Sequence, residues 1–283
     1  MKIKNKIAFF APIHRTGSSL LSSILNQNDK IHSEGHSPLC AMLWDIQSSL
    51  DDELTVNSVL ASHRDPEDLK KSFLNSLIDD YYQGNSDKLI IDKSSYWGLA
   101  GNFEMIERYI DPDPKIIITR RDLSDVVRSY VNVYMENGFS QEYAENYLLF
   151  GDGFHGGMLM RSIASTLWAQ LSKKSNFFFV DYDLLVDNTK ETIDALYDFL
   201  EIDRFSHNFN IKEKKYQDDQ NFVLKGLSEV RPGISKRKIS VVLSDNATNK
   251  IKEIDSVLTL SNTDNLGELD FKKVVSFYHD CLN

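Results

Sequence analysis

Cysteine is nearly missing from this chain: Cys40 and Cys281 are the only two in 283 residues. Two isolated thiols exclude a disulfide framework and the grouped spacing of a zinc site, so a reducing, cytoplasmic setting is expected. Basic residues are also in short supply, 32 Lys and Arg against 42 Asp and Glu, for a formal charge of −10. That balance argues against a nucleic-acid surface, because neutralising a phosphate backbone takes clustered cations. Any anion must be held locally. No apolar run is long enough to span a membrane, and the basic start "MKIKNKIAFFAPIH" lacks a small-residue cleavage site, so it reads as a first strand. No Pro/Gly/Ser-rich linker and no internal repeat divides the sequence, and residues 1–283 are expected to form a single domain.

What is present is the mixture of an ordinary folded globule, 41% hydrophobic and 26% charged, which leaves no compositional case for disorder. Four short apolar runs have strand length: "KIAFFAP" (6–12), "KLIID" (88–92), "KIIIT" (115–119) and "NFFFV" (176–180). Between them lie amphipathic stretches. "DPEDLKKSFLNSLIDDYY" (65–82) has Pro66 in its first turn and Leu69, Phe73, Leu77 and Ile78 in register. "RDLSDVVRSYVNVY" (121–134) offers Asp122 as N-cap with Asp125 three residues on. "TKETIDALYDFL" (189–200) starts at a capping Thr189 and sets Ile193, Leu196, Tyr197 and Leu200 on one face. Continuous apolar strands alternating with helices predict an α/β fold, a central parallel sheet flanked by helices. "FGDGFHGGM" (150–158) reads as a long connection or lid.

The stretch "APIHRTGSSLL" (11–21) sits where the first strand turns into a helix, a favoured place for an anion in a parallel sheet. Gly17 lets the backbone approach closely, Ser18 and Ser19 add hydroxyl donors, Thr16 can cap or contact the anion, and Arg15 supplies a planar, permanent cation. The nucleotide-hydrolase pattern G-x-x-x-x-G-K-[ST] is absent. Further on, "IIITRRDLSDVVRSY" carries Arg121 at a strand end and Ser129 eight residues later on the next helix, an arginine fork and a facing hydroxyl suited to a second phosphate.

The order cation–[ST]–G–[ST]–[ST] after a strand, followed at the right distance by the Arg121/Ser129 pair, resembles the sulfotransferase family that uses 3′-phosphoadenosine 5′-phosphosulfate (PAPS). The resemblance runs from residue 6 to about 240, and implies a P-loop NTPase-like sulfotransferase architecture. It implies that Arg15, Thr16, Gly17, Ser18 and Ser19 hold the phosphosulfate, that Arg121 and Ser129 hold the 3′-phosphate, and that Lys93 in "KLIIDKSSYWG" faces the transferring group. It also implies that a late basic loop, "KGLSEVRPGISKRK" (225–238), closes over the nucleotide, with Ser228, Arg231 and Lys236 as its candidates. The stretch "FFFVDYDLLVDN" is similar to the family's late strand and tyrosine-acid-leucine turn, a structural element. One departure stands out: the residue before the loop cation is usually proline in the family and is His14 here.

Sulfuryl transfer is an in-line displacement that needs position and charge, and a base for the acceptor's proton. "HSEGHSP" (32–38) is where that base is sought; in an extended segment His32, Glu34 and His36 project to one side. His36 ranks first and Glu34 second, histidine having a pKa near working pH. Zinc on His32 and His36 is the rival, without H-E-x-x-H to support it, and no metal is expected. Of the other histidines only His14 and His155 fall near the site loops. The acceptor is expected to be a small molecule read by residues 36–65 and 130–160, where Trp44, Tyr134, Phe139, Tyr143, Tyr147 and Phe154 mingle with Asp45, Glu136, Glu142, Glu145 and Asp152. Aromatic and acidic groups together suit a polar or cationic acceptor. A kinase with a degenerate loop and a non-catalytic nucleotide binder are the alternatives.

Overall fold

A computed structural model of the chain describes residues 7–33, 35–151, 154–212, 224–236, 238–263 and 267–282. Among these the elements run β1 (Ile7–Phe10), α1 (Ser18–Leu25), β2 (Ile31–Ser33), α2 (Leu39–Asp51), α3 (Glu53–Ala61), α4 (Pro66–Tyr81), β3 (Leu89–Lys93), α5 (Ala100–Tyr109), β4 (Ile116–Arg120), α6 (Leu123–Glu136), α7 (Gln141–Leu149), α8 (Phe154–Ser172), β5 (Phe177–Asp181), α9 (Tyr182–Asp187), α10 (Thr189–Phe199), α11 (Asp245–Ser261) and α12 (Glu268–Asp280). The strands form one parallel sheet in the order β2-β3-β1-β4-β5. This is the α/β class that the sequence pattern predicts.

The four apolar runs are four of the five strands. β2 is the one missed, because "IHS" is too short and too polar to stand out. Alternation sorts the sheet's side chains to two faces. Phe9, Ala11, Ile116 and Ile118 pack with Leu43, Leu74, Trp97 and Phe103 under α2, α4 and α5. Ala8, Phe10, Ile117 and Val180 pack on the other face with Leu21, Ile24, Leu196 and Tyr197 of α1 and α10. A third apolar body joins α6, α7, α8, α11 and α12.

Several helix expectations hold and others shift. Asp122 caps α6, accepting from Asp125 N at 3.0 Å. α4 begins with Pro66 after a capping Asp65, yet it buries Lys70, Leu74 and Ile78 while Phe73 is half exposed: the buried stripe lies one residue on from the predicted one. In α10 the N-cap position falls on Asn188, which makes no side-chain cap bond, and Thr189 is the first helical residue. The glycine-rich stretch expected as a lid contains the start of α8; residues 152 and 153 lie outside the described set. Gly156 is needed there for packing, since a Cβ would stand 2.4 Å from the Tyr147 carbonyl oxygen.

β1 and β4 are neighbours, and the helices that follow them lead to opposite edges of the sheet, so a crevice opens between their carboxyl ends. Both predicted anion-binding segments leave the sheet at that point.

Candidate active site

The turn after β1 is held from below. Ile13 N bonds the Thr119 carbonyl at 3.1 Å, continuing the β1/β4 ladder, and the buried Thr16 hydroxyl joins the Ile13 carbonyl and, at 2.6 Å, the Thr119 hydroxyl. Thr16 thus serves the turn through its buried side chain and does not line the cavity above it. Arg15 takes a left-handed conformation at φ 66°, unusual for a residue with a side chain, and Gly17 follows at φ 82°. Gly17 is required twice over, because a Cβ would also meet the Tyr182 ring at 2.8 Å. It is the N-cap of α1 and offers no side-chain cap to the helix. The first N–H groups of α1 therefore face outward, where helix geometry leaves them without intrahelical partners and the dipole favours an anion.

Above this turn is a cavity of about 260 Å³. Of the residues predicted from the sequence, Arg15, Gly17, Ser18, Ser19, His36, Lys93, Arg121, Ser129, Ser228 and Arg231 line it. Lys93 is the last residue of β3, buried, its ammonium 6.0 Å from the Phe10 ring. Arg15 Nε donates to Ser129 Oγ at 3.0 Å and its Nη1 to the Leu227 carbonyl, so one side chain links the turn, α6 and the late loop. Arg121 follows β4, pairs with Asp125 at 3.2 Å and lies over the Tyr182 ring, 4.3 Å from its centre. Its buried Nε has no hydrogen-bond partner among the described residues, a donor held ready for an anion. Among the described residues, Arg15, Lys93, Arg121 and Arg231 line this space with one carboxylate, Glu229, a local positive field in an acidic chain.

Two expectations need correction. Lys236 is exposed and turned away from the cavity, paired with Asp183 at 2.9 Å and Asp187 at 2.6 Å; these acids, four apart on α9, capture it. His32 and His36 do not share a side. β2 ends at Ser33, the His32 ring packs edge-on to Tyr82 with centres 5.9 Å apart, and His36 lies beyond the strand at the cavity. Glu34 lies outside the described residues, and so does Arg237.

His14 also lines the cavity, its Nε2 2.9 Å from Ser95 Oγ. Burial lowers its pKa to about 3, with the charges of Lys93, His36, His155 and Arg15 adding to the effect. His14 is a neutral ring at working pH. Of the acids proposed to read the acceptor, Glu145 is buried and accepts from Ser244, capping the approach to α11, which leaves it unavailable to a ligand. Trp44 packs over Gly101.

The sequence reading missed Tyr182 and Met158 as lining residues. Tyr182 belongs to the tyrosine-acid-leucine turn that was taken as structural; its wedge between Gly17 and Arg121 is a tertiary contact with no local signature. Met158 was hidden in the glycine-rich stretch.

A parallel sheet with a cationic, glycine-bearing turn after its first strand defines a P-loop-like anion-binding fold. The chain belongs to the sulfotransferase family, whose profile matches residues 10–207. In fold it is similar to the sulfotransferase domain of the Synechococcus PCC 7002 olefin synthase, at 18% identity and TM-score 0.52, covering 88% of this chain and 94% of that one. The sulfotransferase domain from the curacin biosynthetic pathway is similar at 15% identity and TM-score 0.51, covering 88% and 97%. A sulfotransferase from Alicyclobacillus acidocaldarius matches at 11% identity and TM-score 0.50, covering 96% and 95%. No curated protein gives a significant sequence match. No helix among the described residues is long and apolar enough to cross a membrane.

Proposed function

We propose that the protein transfers the sulfuryl group of PAPS to a hydroxyl or amine of a small polar molecule in the cytoplasm, the whole chain acting as one domain. The observation that carries this reading is the meeting of two anion-binding elements, the turn at 13–19 and the Arg121/Ser129 pair, on the walls of one cavity. A nucleotide charged at both its 5′ and 3′ positions needs two such elements; ATP, charged at one end, needs one.

In this reading Arg15 and the N–H groups of Gly17, Ser18 and Ser19 hold the 5′-phosphosulfate, with Thr16 fixing the turn beneath them. Arg121 and Ser129, with Ser228 and Arg231 from the late loop, hold the 3′-phosphate. The acceptor oxygen or nitrogen forms its bond to sulfur as the bond from sulfur to the 5′-phosphate oxygen breaks in line. The electron pair stays on that oxygen, beside Arg15 and Lys93, and 3′-phosphoadenosine 5′-phosphate (PAP) leaves with it. The acceptor's proton passes to the His36 imidazole. His14, whose pKa is lowered to about 3, is a poor proton acceptor, which leaves His36 as the first candidate. Glu34 is the second candidate base. The cationic side chains supply the charge the leaving phosphate needs, so the reading calls for no metal.

Calorimetric titration of the metal-free protein with PAP and then ADP tests this. Clear preference for PAP is expected. Equal binding, or none, would reject the 3′-phosphate pocket and move a kinase or a generic phosphate binder ahead.

A further inference from the structure

Two buried polar atoms beyond His14 have no hydrogen-bond partner among the described residues: the Tyr130 hydroxyl and His155 Nε2. Tyr130 is 0% exposed and His155 5%. Interiors leave few such groups unpaired, since each forfeits its hydration with no return.

Their hydrogen positions follow from their neighbours. His155 Nδ1 lies 2.6 Å from the Tyr134 hydroxyl. Burial raises the Tyr134 phenol far above its ordinary pKa, so it keeps its proton, and Nδ1 is its hydrogen-bond partner. The bond admits either direction; in the tautomer in which Tyr134 donates to Nδ1, the neutral imidazole carries its hydrogen on Nε2. Burial holds the Tyr130 phenol protonated in the same way. In that tautomer both unpartnered atoms are donors, and it is the one the proposal below takes.

They lie behind His14, one layer back from the cavity wall, and neither lines the cavity itself. The Tyr130 ring centre is 6.3 Å from that of His155 and 6.3 Å from that of His14, which lines the cavity. Met158, one turn beyond His155 on the same face of α8, lines the cavity as well. From outside, Phe139, Tyr143 and Tyr147 stack at 5.2 and 5.7 Å, and Tyr147 reaches His155 at 6.3 Å.

We propose that Tyr130 and His155 form an acceptor subsite that takes a carbonyl or carboxylate oxygen, so that the acceptor carries such an oxygen besides the hydroxyl or amine that is sulfated. The proposal rests on the sulfotransfer reading above. Two donors match the two lone pairs of a carbonyl oxygen or the two oxygens of a carboxylate. Met158, unbranched and adaptable, is the cavity-lining side chain that follows His155 on α8, and the acceptor reaches the pair past it. A buried water bridging the two donors is the rival occupant.

Acetate is the probe, with 2-propanol as a control of similar size. The full chain, labelled with ¹⁵N-histidine and saturated with PAP, is titrated with each while the His155 Nε2 resonance is followed, its assignment taken from His155→Gln. Acetate is expected to move that resonance saturably and 2-propanol to leave it in place. Tyr130→Phe is expected to weaken acetate by about fivefold or more and to keep PAP affinity within about twofold. An unmoved resonance, or an acetate response unchanged in Tyr130→Phe, would overturn the subsite in favour of bridging water. Failure of PAP to bind would instead reject the nucleotide reading, and acetate titration of the nucleotide-free chain would still decide the subsite.

Discussion

At the anion end of the cavity the groups that matter are backbone N–H groups at the start of α1 and cations leaving adjacent strands. At the end proposed for the acceptor they are side chains from the β2–α2 connection and α8, with those of α6 and α7 packed behind them. The first is fixed by the sheet's ladder and by a glycine that admits no substitute; the second depends on how helices pack. A site made of backbone geometry has a short, recurring sequence form, whereas a site made of side chains from several helices has none.

The sharpest way to break this contrast is Arg15→Ala. Loss of the cation at the leaving phosphate is expected to lower turnover about 10²- to 10³-fold, measured with PAPS and any acceptor found active; near-wild-type turnover would undo the anion end. His36→Ala strikes the other end. It is expected to lower turnover about 10²-fold while PAP affinity by calorimetry stays unchanged, and a large loss of PAP affinity would move His36 out of the acceptor half.

Arg121→Ala is expected to cost PAP affinity about 10- to 100-fold, the range for hydrogen bonds to charged groups, with ADP affinity little affected. Smaller still is a pH effect at the junction of the two ends. His14 has a folded pKa of about 3 and an ordinary unfolded value, so the unfolded chain binds the extra proton between those values, and stability falls as pH drops from about 6.5 toward 3. In His14→Gln that part of the slope in urea unfolding is expected to vanish. The least effect belongs to Lys236→Ala, which breaks two exposed pairs on α9; kcat and PAP affinity are expected to change by less than about twofold.

Legibility in the sequence follows the same division. Four of the five strands, the cap at Asp122, the 13–19 turn and the Arg121/Ser129 pair at the cavity were readable, because each is set by residues a few positions apart. β2 was not, since three residues carry too little periodicity. The face of α4 was misjudged by one position because Lys70 is drawn inward by Asp51 and Glu67, a tertiary pairing that hydrophobic patterning ignores. Lys236 is assigned to the nucleotide by its place in a basic loop like the family's, and the acids that hold it lie some fifty residues earlier. The glycines at 156 and 157 read as a lid, while Gly156 is there to let α8 approach α7.

The wedge of Tyr182 has a metrical consequence. One rigid ring touches Gly17 on one side and carries the Arg121 guanidinium on the other, so the two cannot drift apart or together without moving Tyr182 at the start of α9. In the proposed reading the cavity therefore works as a gauge. It selects a ligand by the interval between two charges, and a molecule with the right charges at the wrong interval fills half of it and leaves the other half in solvent.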